Sequence, residues 1–495
     1  MSEEAEMATR PVSGPGAATG TDVVSGTGLR EGVLHIAGVV MQNIANIAPA
    51  IAVLFTVQQI ASYAGVAAPL AYLIAFLVTL CLGTTLGQLV RKLPSAGSYY
   101  TFISRTTSPD IGFIAAWLYF LTFPLVGAQA STAMGSTINQ ALQSYYGVSF
   151  PWWAFALIIL AFTAFVTFIG LTAGIRALFV TSAIEMVLIL ALAISGLVSP
   201  GPGGLNGRGF NPGEISGHGT FYLGVVFAIF ALTGWDAAAP LAEESARPRR
   251  TVSSGVLLSI LLMGFFLVVA SWGLQIGWGT AHVGSFANDA SNPAFSIAHR
   301  VWGSAWVLVL IALANSVIAV LISSMNAATR MWYRMARVGV LPRWLGYVHP
   351  RFKTPSNAII AQTVLSLVLA FALSAAWGVS NVFSVLGFLF IFGAIPVWTI
   401  ANYSVFRLYR KEHRDEFNIF LHVIVPIIGT VGLIWFGYKS VVPLPPYPNS
   451  WAVPLVIGWL VVAVVIVLWL RSRGREHDLQ VKAGLAFDET APVSE

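Results

Sequence analysis

The chain has 495 residues, of which 57% are hydrophobic and 9% charged, with a mean hydropathy of +0.78 and a formal net charge of +6. Soluble domains carry about 25% charged residues, so this composition excludes an ordinary soluble fold and points to an all-α polytopic membrane protein. The single Cys81 excludes an internal disulfide and the eight histidines show no metal-ligand spacing, so no metal, cofactor or redox chemistry is expected; nor does the charge, which lies in loops, suggest nucleic-acid binding.

In chain order, residues 1–29 are rich in Gly, Ser, Thr and Ala and lack a basic segment followed by an apolar core. They read as a disordered cytoplasmic tail and not as a signal peptide. Beyond them lie apolar stretches of about 20 residues, the length that crosses a bilayer. Twelve are expected, at 33–63, 66–89, 111–142, 152–171, 175–198, 220–241, 252–277, 302–329, 357–377, 379–406, 419–441 and 451–470. The Gly- and Pro-rich segment 200–219 reads as an external connector between two halves of five spans, 30–199 and 220–415. Two further spans occupy 416–470, and 471–495 form a cytoplasmic tail.

Cytoplasmic loops carry the Lys and Arg of a membrane protein. With the N-terminus inside, 23 of the 26 fall on the cytoplasmic side, leaving Arg208, Arg300 and Lys439 outside. The asymmetry supports twelve spans with both termini cytoplasmic.

The first span of each half is interrupted. Span one carries the polar Gln42-Asn43-Ile44-Ala45-Asn46-Ile47-Ala48-Pro49, and Pro49 removes a backbone donor and obstructs the preceding turn. An ordinary proline kink would have the same sequence. Span six runs Phe230-Ala231-Leu232-Thr233-Gly234-Trp235-Asp236, placing a carboxylate at membrane depth, where a charge costs about 2.5–3.5 kcal/mol or more. Interrupted helices at matching positions of two halves are the sequence pointer to a substrate site in a secondary transporter.

Several motifs, in order over roughly residues 30 to 415, resemble the amino acid-polyamine-organocation family. They are Leu93-Pro94-Ser95-Ala96-Gly97-Ser98-Tyr99-Tyr100, then Leu232-Thr233-Gly234-Trp235-Asp236 with Ala242-Glu243-Glu244-Ser245, and Thr329-Arg330-Met331-Trp332 running to Leu341-Pro342. The resemblance implies a five-plus-five inverted repeat with two extra C-terminal helices, and alternating access around a midplane site. It implies a secondary active transporter in the cell membrane, not an enzyme, moving an amino acid or, as the alternative, a polyamine or other small amine, as importer or exchanger. It places a substrate carboxylate on the amides of Asn46, Ile47 and Ala48 and an amine on the carbonyls of Ala231, Leu232 and Thr233. It assigns Phe230 to an aromatic gate, and Thr122, Phe123 and Ser324 to the pocket wall; plain helix packing is the alternative for these four.

Two departures stand out. Span one lacks the usual Gly-Ser-Gly character, and span five has Glu185 at, or one position from, the place where proton-coupled relatives often carry a lysine. Glu185 and Asp236 are the acids expected deep in the membrane, with no Lys or Arg beside them. Such groups suit taking and releasing a proton, so either is a candidate for proton coupling. Sodium coupling, through carbonyls of span one and hydroxyls such as Ser323, is the other option. The partners expected are thus a small solute, a proton or sodium ion, and the lipid bilayer.

Overall fold

The computed structural model describes residues 35–93, 98–120, 122–170, 173–215, 218–237, 239, 248–289, 291–337 and 341–472. Among these the chain is helical, with no strand. Among the described residues nine helices are long and apolar enough to cross a membrane, and three apolar ones are shorter: Ile36–Ile47, Trp152–Phe168 and Thr220–Ala231.

The first apolar stretch is three helices in place of one rod: α1 (Ile36–Ile47), α2 (Pro49–Leu54) and α3 (Thr56–Ala64). Ala48 adopts φ 58° and ψ 80°, and its N–H closes α1 by donating to Ile44 O at 3.0 Å. A left-handed alanine costs about 1–2 kcal/mol. The next residue, Pro49, opens α2, and its missing N–H is no loss at the first position of a new helix.

The chain continues through α4 (Ala68–Lys92), α5 (Tyr99–Thr106), α6 (Pro109–Phe120), α7 (Thr122–Tyr146), α8 (Trp152–Phe168) and α9 (Ala173–Val198). Next come α10 (His218–Ala231), α11 (Pro248–Trp278), the short α12 (Val283–Ala287) and α13 (Pro293–Trp302), then α14 (Val307–Arg337), α15 (Ser356–Trp377) and α16 (Val379–Glu412). A π-helical turn, Phe420–Ile424, leads into α17 (Val425–Val441), and α18 (Ala452–Ser472) completes the bundle.

The packing places the interrupted segments inside. α1 lies against α9, α11 and α14, while α10 is held by α3, α4, α16 and α17. Their buried faces belong to one continuous core that includes Ile44, Ile47, Phe227 and Trp235. Lipid-sized apolar surface is left on the periphery, as on α17 and α18, where Ile427, Val431, Ile434, Val461 and Leu468 are exposed. An apolar exterior around a close-packed interior is what a bilayer solvent selects.

Candidate substrate site

Helix α10 stops at Ala231 and the chain turns from Leu232 to Ala237. Tight bonds close its last turn: Leu232 N–H to Ile229 O at 3.1 Å, Thr233 N–H to Phe230 O at 2.9 Å, and the Thr233 hydroxyl to the same carbonyl at 2.7 Å. Gly234 has φ +107°, and a Cβ there would stand 2.8 Å from the backbone of Asn46 and Ile47. The glycine therefore lets the break after α10 touch the end of α1, backbone to backbone.

Where the two breaks meet there is a cavity of about 120 Å³. By the measure that one water needs about 10–15 Å³, this is room for roughly ten water-sized positions, the scale of a small amino acid or short diamine. Asn46, Ile47 and Ala48 form one wall with Ile51 and Thr56; Ala231, Thr233, Gly234 and Asp236 form another. Helix α7 adds Gln129 and Ala130, α14 adds Val320 and Ser324, and α6 adds Tyr119. Phe230, Phe383 and Phe390 give it aromatic faces, with Phe230 centred 5.9 Å from Phe383 and 5.8 Å from Phe390. Such faces attract a cation by about 0.5–2 kcal/mol.

Asp236 is 5% exposed, and its Oδ2 accepts from the Tyr119 hydroxyl at 2.6 Å. Tyr119 in turn packs on Tyr99, ring centres 5.3 Å apart. No cation lies within salt-bridge distance of Asp236 among the described residues.

Glu185 lies elsewhere. It sits on α9, 1% exposed, and does not line the cavity. Its Oε1 accepts from the Ser316 hydroxyl at 2.8 Å and the Ala50 N–H at 3.3 Å, and its Oε2 accepts from Asn315 Nδ2 at 2.8 Å. Ile51 N–H reaches Ser316 Oγ at 3.4 Å. Glu185 thus ties α9 and α14 to the first turn of α2, just behind the break in span one.

Of the residues singled out from sequence, Asn46, Ile47, Ala48, Phe230, Ala231, Thr233, Ser324 and Asp236 come together around the cavity. Leu232 is buried away from it. The side chains of Thr122 and Phe123, and Glu243 and Glu244, lie outside the described residues. The expected carboxylate cradle also differs in detail. The Ala48 amide is engaged by Ile44, and the next two free amides, of Ala50 and Ile51, are engaged by Glu185 and Ser316. Ser323, the hydroxyl considered for sodium, accepts from Asn46 Nδ2 at 3.1 Å.

Sequence reasoning missed Tyr119, Gln129, Phe383 and Phe390. The signal available was polarity at membrane depth: Gln129 interrupts the small-residue run Val126-Gly127-Ala128-Gln129-Ala130 in a helix of α7's length.

The apolar exterior, the crossing helices and a cavity between two broken ones define an integral membrane protein with a small-molecule-sized cavity inside. The chain belongs to the amino acid permease family, whose pattern it matches over residues 38–473. It is similar to the low-affinity putrescine importer of Escherichia coli, with 29% identity over 399 residues covering 75% of this chain and 81% of the importer. It is also similar to a general amino-acid permease of Candida albicans, at 25% identity over 81% of this chain and 71% of that one. A branched-chain amino acid permease of Lactococcus lactis shares 23% identity over 80% of this chain and 86% of its own. The family and these relatives are membrane transporters and not enzymes.

Proposed function

We propose that this protein is a secondary active transporter that carries a small amine-bearing solute, an amino acid or a diamine, across the cell membrane by alternating access. The observation that carries the reading is the meeting of two broken helices, at Ala48–Pro49 and at 232–237, around a cavity lined by Asp236. Helices that end at a cavity offer it main-chain groups without the cost of exposing them to lipid. In this reading the amine of the solute binds Asp236, the carbonyl ends of α1 and α10 and the aromatic faces. The partial negative charge of about −0.5 at each helix C-terminus supports it.

The reading includes twelve spans, five-plus-five repeats with 416–470 outside them, and cytoplasmic termini. The nine long and three shorter apolar helices and the placement of Lys and Arg support it. Coupling is to protons, through Glu185. This acid ties the break in span one to α9 and α14 with three accepted hydrogen bonds, and adding a proton turns one acceptor into a donor and rearranges that junction. Sodium is the competing ion.

The test is counterflow in proteoliposomes: labelled solute accumulates against its own gradient when vesicles are preloaded with unlabelled solute. Amino acids and diamines are screened first by thermal shift, where ligand at 100 times its Kd stabilises the protein by about 2.7 kcal/mol. Absence of saturable uptake and counterflow for every amine and amino acid sinks the carrier reading.

A further inference from the structure

The cavity's side chains have largely spent their hydrogen-bond donors on the protein itself. The hydroxyl protons of Thr56, Thr233 and Ser324 go to the carbonyls of Ala52, Phe230 and Leu321, and that of Tyr119 goes to Asp236. Asn46 directs its amide nitrogen to Ser323, and Gln129 directs its own to Phe383 O at 2.8 Å. A carbonyl can only accept, so the bond to Phe383 fixes which way the Gln129 amide points. Its oxygen is left over. Gln129 is 7% exposed, lines the cavity, and its Oε1 accepts from no group of the protein among the described residues. An accessible acceptor on the cavity wall is free to receive a ligand N–H.

The backbone does little to redress this. In the turn after α10 the amides of Leu232, Thr233 and Ala237 are engaged by carbonyls and that of Asp236 by its own carboxyl, while those of Gly234 and Trp235, which adjoin that carboxyl, make no backbone bond among the described residues. A solute carboxylate placed there would face another acid across a short distance.

We propose that Gln129 is a specificity-determining residue: its amide oxygen receives a second ammonium or other N–H-rich group of a solute whose first ammonium is bound by Asp236. This rests on the carrier reading above and assigns the cavity to solutes with two N–H-donating ends in preference to those ending in a carboxylate. The two acceptors come from different elements, Gln129 from α7 and Asp236 from the turn after α10. Recognition of both ends therefore engages two elements at once.

The experiment compares uptake of putrescine, n-butylamine and leucine by proteoliposomes containing the full chain and its Gln129→Met and Gln129→Glu variants. Folding of each variant is checked by thermal melting and size exclusion. The unaltered protein prefers putrescine to butylamine and to leucine. Gln129→Met, which has similar length and no oxygen, lowers the putrescine-to-butylamine ratio about tenfold, as expected for a hydrogen bond to a charged group. Gln129→Glu holds or raises that ratio. If Gln129 acts only as a tether for Phe383, both variants lose the amide donor and both change the ratio in the same direction, which overturns the proposal. An unchanged ratio in Gln129→Met overturns it too, as does uptake confined to leucine; both leave the carrier reading standing. Absence of saturable flux for all three solutes also overturns the proposal, and the carrier reading fails separately, when no amine or amino acid shows saturable uptake and counterflow.

Discussion

The two buried acids have the same chemistry and opposite surroundings. Glu185 receives three hydrogen bonds, from a backbone amide, a hydroxyl and a side-chain amide, and is walled off from the cavity. Asp236 stands in the cavity wall, with the Tyr119 hydroxyl on its Oδ2 and its own backbone N–H and the Tyr99 side chain beside it. A carboxyl walled off from the cavity cannot reach a solute, while one in the cavity wall can bind a cation. The contrast supports the proposal that Asp236 serves the solute and Glu185 the coupling of helices.

The strongest way to break this assignment is Asp236→Asn. Asparagine keeps an oxygen for the Tyr119 hydroxyl, so the fold should hold, but the charge that offsets a buried ammonium is gone. Loss of one partner of a buried ion pair costs about 3–5 kcal/mol, so solute affinity should fall at least roughly 100-fold. Titration by thermal shift and uptake rate both measure it. Affinity within a few-fold of the unaltered protein would mean that Asp236 does not hold the amine.

Glu185→Gln should act differently. The amide oxygen can still receive the Ala50 N–H and the Ser316 hydroxyl, so binding should survive, while the residue can no longer exchange a proton. Uptake by the unaltered protein is expected to rise as the outside pH falls, and by the variant to be flat with pH and about tenfold slower at the acid end, of the order of one lost charge-assisted hydrogen bond. Replacing sodium by choline should change neither. A sodium requirement, or an unchanged pH profile in Glu185→Gln, would remove Glu185 from the coupling role.

How much of this is legible in the sequence depends on which features are local. Pro49 and Gly234 mark the breaks because their backbone chemistry acts within one turn, and Asp236 is conspicuous because its cost in lipid depends on depth alone. Sequence places Leu232 on the cavity with its neighbours, yet it points away; which residues of an irregular turn face inward depends on dihedral angles that spacing does not encode. Tyr119 and Gln129 come from the consecutive helices α6 and α7, and Phe383 from α16, far away in the chain. A lone Gln or aromatic in an apolar helix looks the same whether it packs or binds. Glu185 is visible as an acid, but its separation from the cavity depends on α9 lying behind the break, which is tertiary information.

Gly234→Ala tests the contact that brings Asp236 to its place. The new Cβ would need a positive φ and would meet the backbone of Asn46 and Ile47 at 2.8 Å, neither of which can move as a side-chain tip could. Strain of about 1–3 kcal/mol is expected, read as a lower melting temperature in detergent, with weaker solute binding because the two breaks are forced apart. Glu185, on the far side of the α1 break, should keep its pH effect on whatever uptake remains. Loss of both together would show that the two acids are not separable.

The smallest effect belongs to an acid outside the membrane helices, which serves as the reference for the buried two. Lys92 Nζ lies 2.6 Å from Glu416 Oε1, and this hydrogen bond and charge hold the Glu416 carboxyl below the ordinary glutamate range. A depressed value means that the folded protein binds the proton less readily than the unfolded chain. The stabilisation is therefore complete above the unfolded-state value of about 4.3, and it disappears as pH falls through the lower folded-state value. Glu416→Gln should leave the melting temperature near pH 7 almost unchanged, because exposed pairs contribute little, and should slightly reduce the loss of stability on acidification. Its uptake-against-pH curve should coincide with that of the unaltered protein. A shift of that curve would show that a surface carboxylate can mimic the signature assigned to Glu185, and the pH profile would no longer distinguish the buried acids from the solvated one.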